Sequence, residues 1–314
     1  MRTSAYWRRL LGFTVASALF VIPFRFLIVN AVVDPSAVEN AKPNQEVTST
    51  NSTGGVYDGV LMKMSDLSYA DLNPYRHQTL GDLESLSAKY KGPSGVYKQV
   101  EYVDNHDWHI PYPAANQLFF SDMKDWRIIA TDDEETEVGF YAVAYQKGNT
   151  IVIAYRGTND VADLLSDAGI YLQVSEWIDQ LAPAQHFVDQ VRSSLPQGQY
   201  QVVFTGHSMG AWLAQRMYVT YLNKYPAWHV AGATVFDSIG THFHPDVSGV
   251  THVKDYRYQG DVFSHYGSSL GQEIEVKDPT PGQSLYDKHQ MHDFYPYFYP
   301  VHSAQLRQST TVVV

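Results

Sequence analysis

The stretch from Tyr200 to Trp212, YQVVFTGHSMGAW, constrains the fold more than any other part of the chain. A β-branched, apolar run (Val202, Val203, Phe204, Thr205) enters Gly206-His207-Ser208-Met209-Gly210. A segment with helical spacing of apolar residues then leaves it: Met209, Trp212, Leu213 and Met217. Strand, tight turn and helix in that order place a serine on a strained reversal, with its hydroxyl above the end of a sheet. The two glycines are expected because side chains there would collide with the neighbouring strand and helix. The pentapeptide alone also fits an ordinary glycine-rich connection, so the flanking elements carry the reading.

The rest of the chain supports a layered α/β architecture. Val138 to Gln146 alternates as a strand, Lys147-Gly148-Asn149 turns, and Thr150 to Tyr155 returns as an antiparallel partner. The run IVIAY at Ile151–Tyr155 is apolar on both faces, as in a central strand covered by helices. Arg127–Ala130 reads as a short strand followed by an acidic turn, Asp132 to Glu137. A helix is expected over Ala182–Ser194, and the serine helix runs to about Lys224. Further strands are expected over Val230–Phe236 and His252–Tyr258. Earlier, Leu61 to Tyr90 reads as two helices broken at Asn73-Pro74. Strands alternating with helices put the functional site at the carboxyl edge of the sheet.

A serine hydroxyl needs a base, and the base needs an orienting carboxylate. In such sheets the acid and then the histidine follow the serine along the chain. Asp237 and Asp261 end candidate strands; His265, His289, His292 and His302 follow them. Amide donors for an oxyanion would come from Met209, after the nucleophile, and from the Arg156-Gly157-Thr158 loop. The pairs His106/His109 and His242/His244 lack a geometry that places metal ligands and read as surface loops.

Two motifs in order carry a family resemblance. Thr150 to Thr158 (TIVIAYRGT), followed by an acidic segment through Asp163 and Asp167, resembles the strand and oxyanion loop of the class-3, fungal triacylglycerol-type lipases. Gly206-His207-Ser208-Met209-Gly210 is similar to their nucleophile turn, and Ser65-Asp66-Leu67-Ser68-Tyr69 to a helix opening in lipase-like relatives. The resemblance spans roughly Leu61 to Tyr299. It implies an α/β-hydrolase fold, a mostly parallel central sheet with helices on both faces and the nucleophile elbow at its carboxyl edge. It also implies a triad of Ser208, Asp261 and His292, with Thr158 and Met209 at the oxyanion and Arg156 structural. His289 and His302 remain rivals for the base. Asp237, where those lipases usually carry glycine, is the rival acid, with turn capping as its other role; His207 is expected to pack. Those lipases usually carry disulfides and a lid; this chain has no cysteine, and Asp160 to Trp177 is only partly lid-like.

The implied activity is cleavage of lipid or other hydrophobic acyl esters through an acyl-enzyme, with no metal or organic cofactor. Acyl transfer by the same site, or a silent membrane-tethered scaffold used for binding, are the alternatives. A formal charge of -11 argues against a nucleic-acid partner, since phosphates demand a basic surface. Three segments follow. Residues 1–33 combine Arg2, Arg8 and Arg9 with an apolar run, as a signal or membrane anchor requires, so the catalytic domain is expected outside the cytoplasm. Residues 34–59, rich in Pro, Ser, Thr and Asn, read as a disordered linker. Residues 60–314 form the hydrolase domain.

Overall fold

The computed structural model describes residues 51–83, 119–134, 139–157, 180–239, 250, 252–264, 269–277 and 287–299. The expected signal or anchor segment, the two histidine pairs, the lid-like segment, His265 and His302 lie outside the described residues. Among the described residues no helix is long and apolar enough to cross a membrane.

Seven strands form one sheet in the order of the sequence: β3 (Arg127–Glu134), β4 (Phe140–Lys147), β5 (Thr150–Tyr155), β6 (Tyr200–His207), β7 (Trp228–Phe236), β8 (Val253–Tyr258) and β9 (Gln272–Val276). The first two pairings are antiparallel and the remaining four parallel. A two-residue loop closes the β4–β5 hairpin, where Lys147 pairs with Thr150. Gly148 takes φ +57° there, a left-handed value that glycine adopts without steric cost. β3 continues through Asp132 to Glu134, so the acidic stretch expected as a turn begins as strand.

Period-two alternation divides the apolar side chains between two layers. Tyr141, Val143, Val152 and Ala154 face one layer, while Phe140, Ala142, Ala144, Ile151, Ile153 and Tyr155 face the other. α2 (Leu181–Ser194) and α3 (Met209–Tyr221) cover the second face, through Phe187, Val188, Leu213 and Met217. α1 (Asp58–Leu67) and the aromatic segment ending in α4 (Tyr295–Phe298) cover the first. A 3₁₀ turn over Asn73–Tyr75 makes the expected break, and a second helix opens at Leu80.

The linker expectation is corrected at its carboxyl end. Residues 52–53 and 56–57 form a small hairpin of β1 and β2, and α1 starts at Asp58. The polar composition that suggested disorder serves a buried network instead. Asp58, fully buried, accepts hydrogen bonds from Thr53 (3.0 Å) and Thr234 (3.1 Å) on one oxygen. Its other oxygen accepts from Lys254 (2.7 Å) and Tyr256 (2.8 Å). A buried carboxylate so supplied with donors fastens the hairpin to β7 and β8.

The aromatic segment is stitched to α1 from its other side. Tyr295 Oη donates to Asp66 (2.7 Å), Tyr57 Oη to the Phe298 carbonyl (2.8 Å), and Tyr299 Oη to Asp122 (2.8 Å). Lys63, buried, donates to the Phe119 carbonyl (2.9 Å) and to Asp122 (3.1 Å), with its ammonium 3.9 Å from the Tyr299 ring centre. Burial raises the Asp66 carboxyl to about 7, opposed by the bond from Tyr295. The folded chain therefore holds this proton more tightly than the unfolded chain. The stability it contributes is complete below about pH 4 and is lost as pH rises through about 7. Asp66→Asn should flatten that decline, with thermal midpoints across this range as the measurement; a slope identical to wild type would refute the assignment.

Candidate active site

β6 delivers its last residue, His207, into a reversal at Ser208, from which α3 starts at Met209. Ser208 adopts φ 57° and ψ −124°, a conformation unfavourable for a side-chain-bearing residue and kept only where its surroundings enforce it. Those surroundings are backbone. The Ser208 N–H donates to the Phe236 carbonyl (3.1 Å), and Ser208 O accepts from the Ala211 N–H (3.1 Å). A Cβ at Gly206 would meet the Gly210 carbonyl, and one at Gly210 the Tyr155 carbonyl, so only hydrogen fits at either.

Parallel strands then bring the partners to the same edge. Asp261 follows β8, and its carboxylate accepts from the N–H groups of Phe263 (3.1 Å, Oδ1) and Ser264 (3.0 Å, Oδ2). His289 Nδ1 lies 2.8 Å from Asp261 Oδ2, and its Nε2 lies 2.8 Å from Ser208 Oγ. A carboxylate only accepts, so Nδ1 carries the proton and Nε2 presents its lone pair to the serine hydroxyl. Ser208, Asp261 and His289 are each 0% exposed, in a low-dielectric setting that strengthens these bonds.

The structure thus brings together Ser208 and Asp261 as expected, but the histidine that meets them is His289, which corrects the choice of His292. A single helix would have put both imidazoles on one face. Instead two 3₁₀ turns, Asp287–His289 and Met291–Phe294, are separated by Gln290. Met291 and Phe294 are buried, and Phe294 packs against Phe236 at 5.4 Å between ring centres. The second turn is thereby anchored to the core, while the first hangs over the serine. The His289 ring is held between His207 (4.8 Å) and Phe263 (4.9 Å). His207 is the packing residue expected, and its Nδ1 is hydrogen-bonded to the Tyr69 hydroxyl at 2.7 Å. Nothing in the sequence pointed to that contact.

Of the expected oxyanion donors, Met209 occupies the first position of α3, and Thr158 lies outside the described residues. The loop that leads to Thr158 passes beside the serine. A Cβ on Gly157 would stand 3.1 Å from Ser208 Cβ and 2.7 Å from the His207 carbonyl oxygen. Arg156 has the structural part assigned to it: its Nη2 donates to the Gly139 carbonyl (3.2 Å) and its guanidinium lies 5.0 Å from the Tyr141 ring.

Asp237 departs from the turn-capping role. It is fully buried at the end of β7, with φ +42°, and its Oδ1 accepts from the Tyr258 N–H of the adjacent strand (2.7 Å). Among the described residues its Oδ2 has no hydrogen-bond partner. Ligand-type atoms of His207, Asp237 and His289 lie within 4.8 Å of one another. A cation there would draw His289 away from the serine, so the trio and the Ser208 contact are competing uses of one imidazole.

The strand order, the serine reversal and the placement of acid and histidine after later strands define an α/β-hydrolase with its nucleophile elbow at the carboxyl edge. More narrowly, the chain belongs to the phospholipase-like family described as the Tle-like phospholipase domain, whose profile matches residues 94–287. It is therefore a lipase- or phospholipase-like member of an ester-hydrolase family; the match takes in Ser208 and Asp261 and stops two residues before His289. No curated protein matches the chain. Similar solved structures include the native Rhizomucor miehei lipase propeptide complex, 14% identical over 79% of this chain and 81% of that one, TM-score 0.44. The lipase of Rhizopus microsporus var. chinensis is 16% identical over 65% and 78%, TM-score 0.40. Lipase II from Rhizopus niveus is 16% identical over 60% and 76%, TM-score 0.38.

Proposed function

We propose that the protein is a serine carboxyl-ester hydrolase that cleaves phospholipid or other hydrophobic acyl esters through an acyl-enzyme. The observation that carries this reading is the unbroken hydrogen-bonded line from Ser208 Oγ through both nitrogens of His289 to Asp261. Ser208 attacks the ester carbonyl as His289 Nε2 takes its proton. Asp261 holds the imidazole in the required tautomer and counters the imidazolium charge. His289 returns the proton to the leaving alcohol, and water, activated by the same imidazole, releases the fatty acid. Met209 N–H and the Thr158 loop supply donors to the oxyanion.

The family's phospholipase description supports a glycerophospholipid as the substrate class. Phosphatidylglycerol and phosphatidylethanolamine vesicles, incubated with the enzyme, should yield free fatty acid and lysophospholipid, resolved by mass spectrometry. A p-nitrophenyl ester series should show faster turnover of longer acyl chains than of acetate. Release of phosphorylated head group with no fatty acid would refute the reading. Recovery of the acyl group on an added alcohol, with none on water, would assign acyl transfer to the site instead.

A further inference from the structure

We propose that Asp237 is a second acid of this site, a positioning residue able to stand in for Asp261 as the carboxylate that counters the imidazolium of His289. The inference rests on the serine-hydrolase reading above. Asp237 and Asp261 follow adjacent parallel strands, β7 and β8, so both carboxyl groups reach the edge that holds His289. One oxygen of Asp237 is secured by the Tyr258 N–H, while Oδ2 is buried and without a partner among the described residues. A carboxyl kept only to fix the backbone would leave no such oxygen, because burying an unsatisfied polar atom costs stability. One carboxylate oxygen of Asp237 lies within 4.8 Å of a ring nitrogen of His207 and of His289, where a carboxylate has a use.

Two carboxyl groups so close do not both ionise readily. Among the described residues, Asp261 meets donors from Phe263, Ser264 and His289. Burial first, and then the charge of Asp261, hold the Asp237 carboxyl well above the usual range, against the bond from Tyr258. Among the described residues, the other groups facing it are Asp255 on β8, whose charge Arg257 pairs at 2.9 Å, and Asp293, together with His207 and His289. In the resting site Asp237 is thus the neutral member of the pair. When Asp261 is made neutral, its repulsion disappears while burial still opposes ionisation; as pH rises Asp237 gives its proton to water and becomes the carboxylate that serves the imidazole.

The test compares kcat/KM across pH for wild type, Asp261→Asn, Asp261→Asn/Asp237→Asn and Asp261→Asn/Asp237→Gly, with Ser208→Ala as the background. Asparagine and glycine both tolerate the left-handed backbone at this position. Loss of all carboxylate support should approach the roughly 10,000-fold decrease known for loss of a triad acid. Asp261→Asn alone should remain at least about tenfold faster than either double variant, a gap of the size that coupled neighbours show. Its acid limb should move to higher pH than wild type, because Asp237 must first lose its proton. Equal rates for Asp261→Asn and the folded double variants would overturn the proposal. So would an unshifted acid limb in Asp261→Asn, which needs no second variant to fold. Ser208→Ala as fast as wild type would instead sink the serine-hydrolase reading itself.

Discussion

His289→Ala is expected to lower kcat by about a million-fold, comparable to removal of a serine hydrolase's base, whereas His292→Ala should cost less than about tenfold. The reason is geometric. His289 Nε2 is 2.8 Å from Ser208 Oγ and its Nδ1 is 2.8 Å from Asp261, so one imidazole already fills both roles a base must fill. Without it, the serine proton has no acceptor, and Asp261 is left buried beside an empty space. Single-turnover measurements on a p-nitrophenyl ester separate this from a binding defect: KM should change far less than kcat. A collapse in His292→Ala with His289→Ala near wild type would reverse the assignment. Thermal unfolding controls are needed, because His289 also packs between His207 and Phe263.

Ser208→Ala should show a loss of the same order, about a million-fold in kcat, with substrate affinity retained. Alanine removes the oxygen on which the proposed acyl-enzyme would form while preserving the packing of a fully buried position. A fluorophosphonate probe should add its mass to the peptide containing Ser208 in wild type and to no peptide in the variant. Combining Ser208→Ala with His289→Ala should cost no more than either alone, since the two act as one unit. Equal hydrolysis by wild type and Ser208→Ala would exclude the serine as nucleophile.

The parts of this molecule legible in the sequence are those where local pattern and tertiary environment agree. The serine turn, the β4–β5 hairpin and the apolar strands β5 and β7 all carry signals that packing reinforces. β9, Gln272–Val276, escaped notice because it is a largely exposed edge strand whose QEIEV sequence has little apolar content. Thr53 and Asp58 escaped for the opposite reason: polar residues in a Ser/Thr-rich run look solvated until Lys254 and Tyr256, some 200 positions away, come to meet them. In the site, Ser208 and Asp261 follow strands and are fixed by the sheet, so order along the chain finds them. His289 follows no strand. Its position depends on how Met291 and Phe294 seat the next turn, which no spacing rule encodes.

The stitching of the aromatic segment onto α1 also sets an order of events during synthesis. Asp66, Lys63 and Tyr57 leave the ribosome more than 200 residues before Tyr295, Phe298 and Tyr299. Until then the first face of the sheet has α1 but lacks the aromatic part of its cover. A growing chain can pair its central strands and shape the serine turn, yet Ser208 stays without the imidazole that meets it in the folded chain. Contacts between such distant residues also make folding slow, since long loops must close before they are rewarded. The segment from His289 to Tyr299 therefore brings the aromatic cover of this face and the histidine beside Ser208 together, so the Ser208–His289 contact forms only when that cover is made.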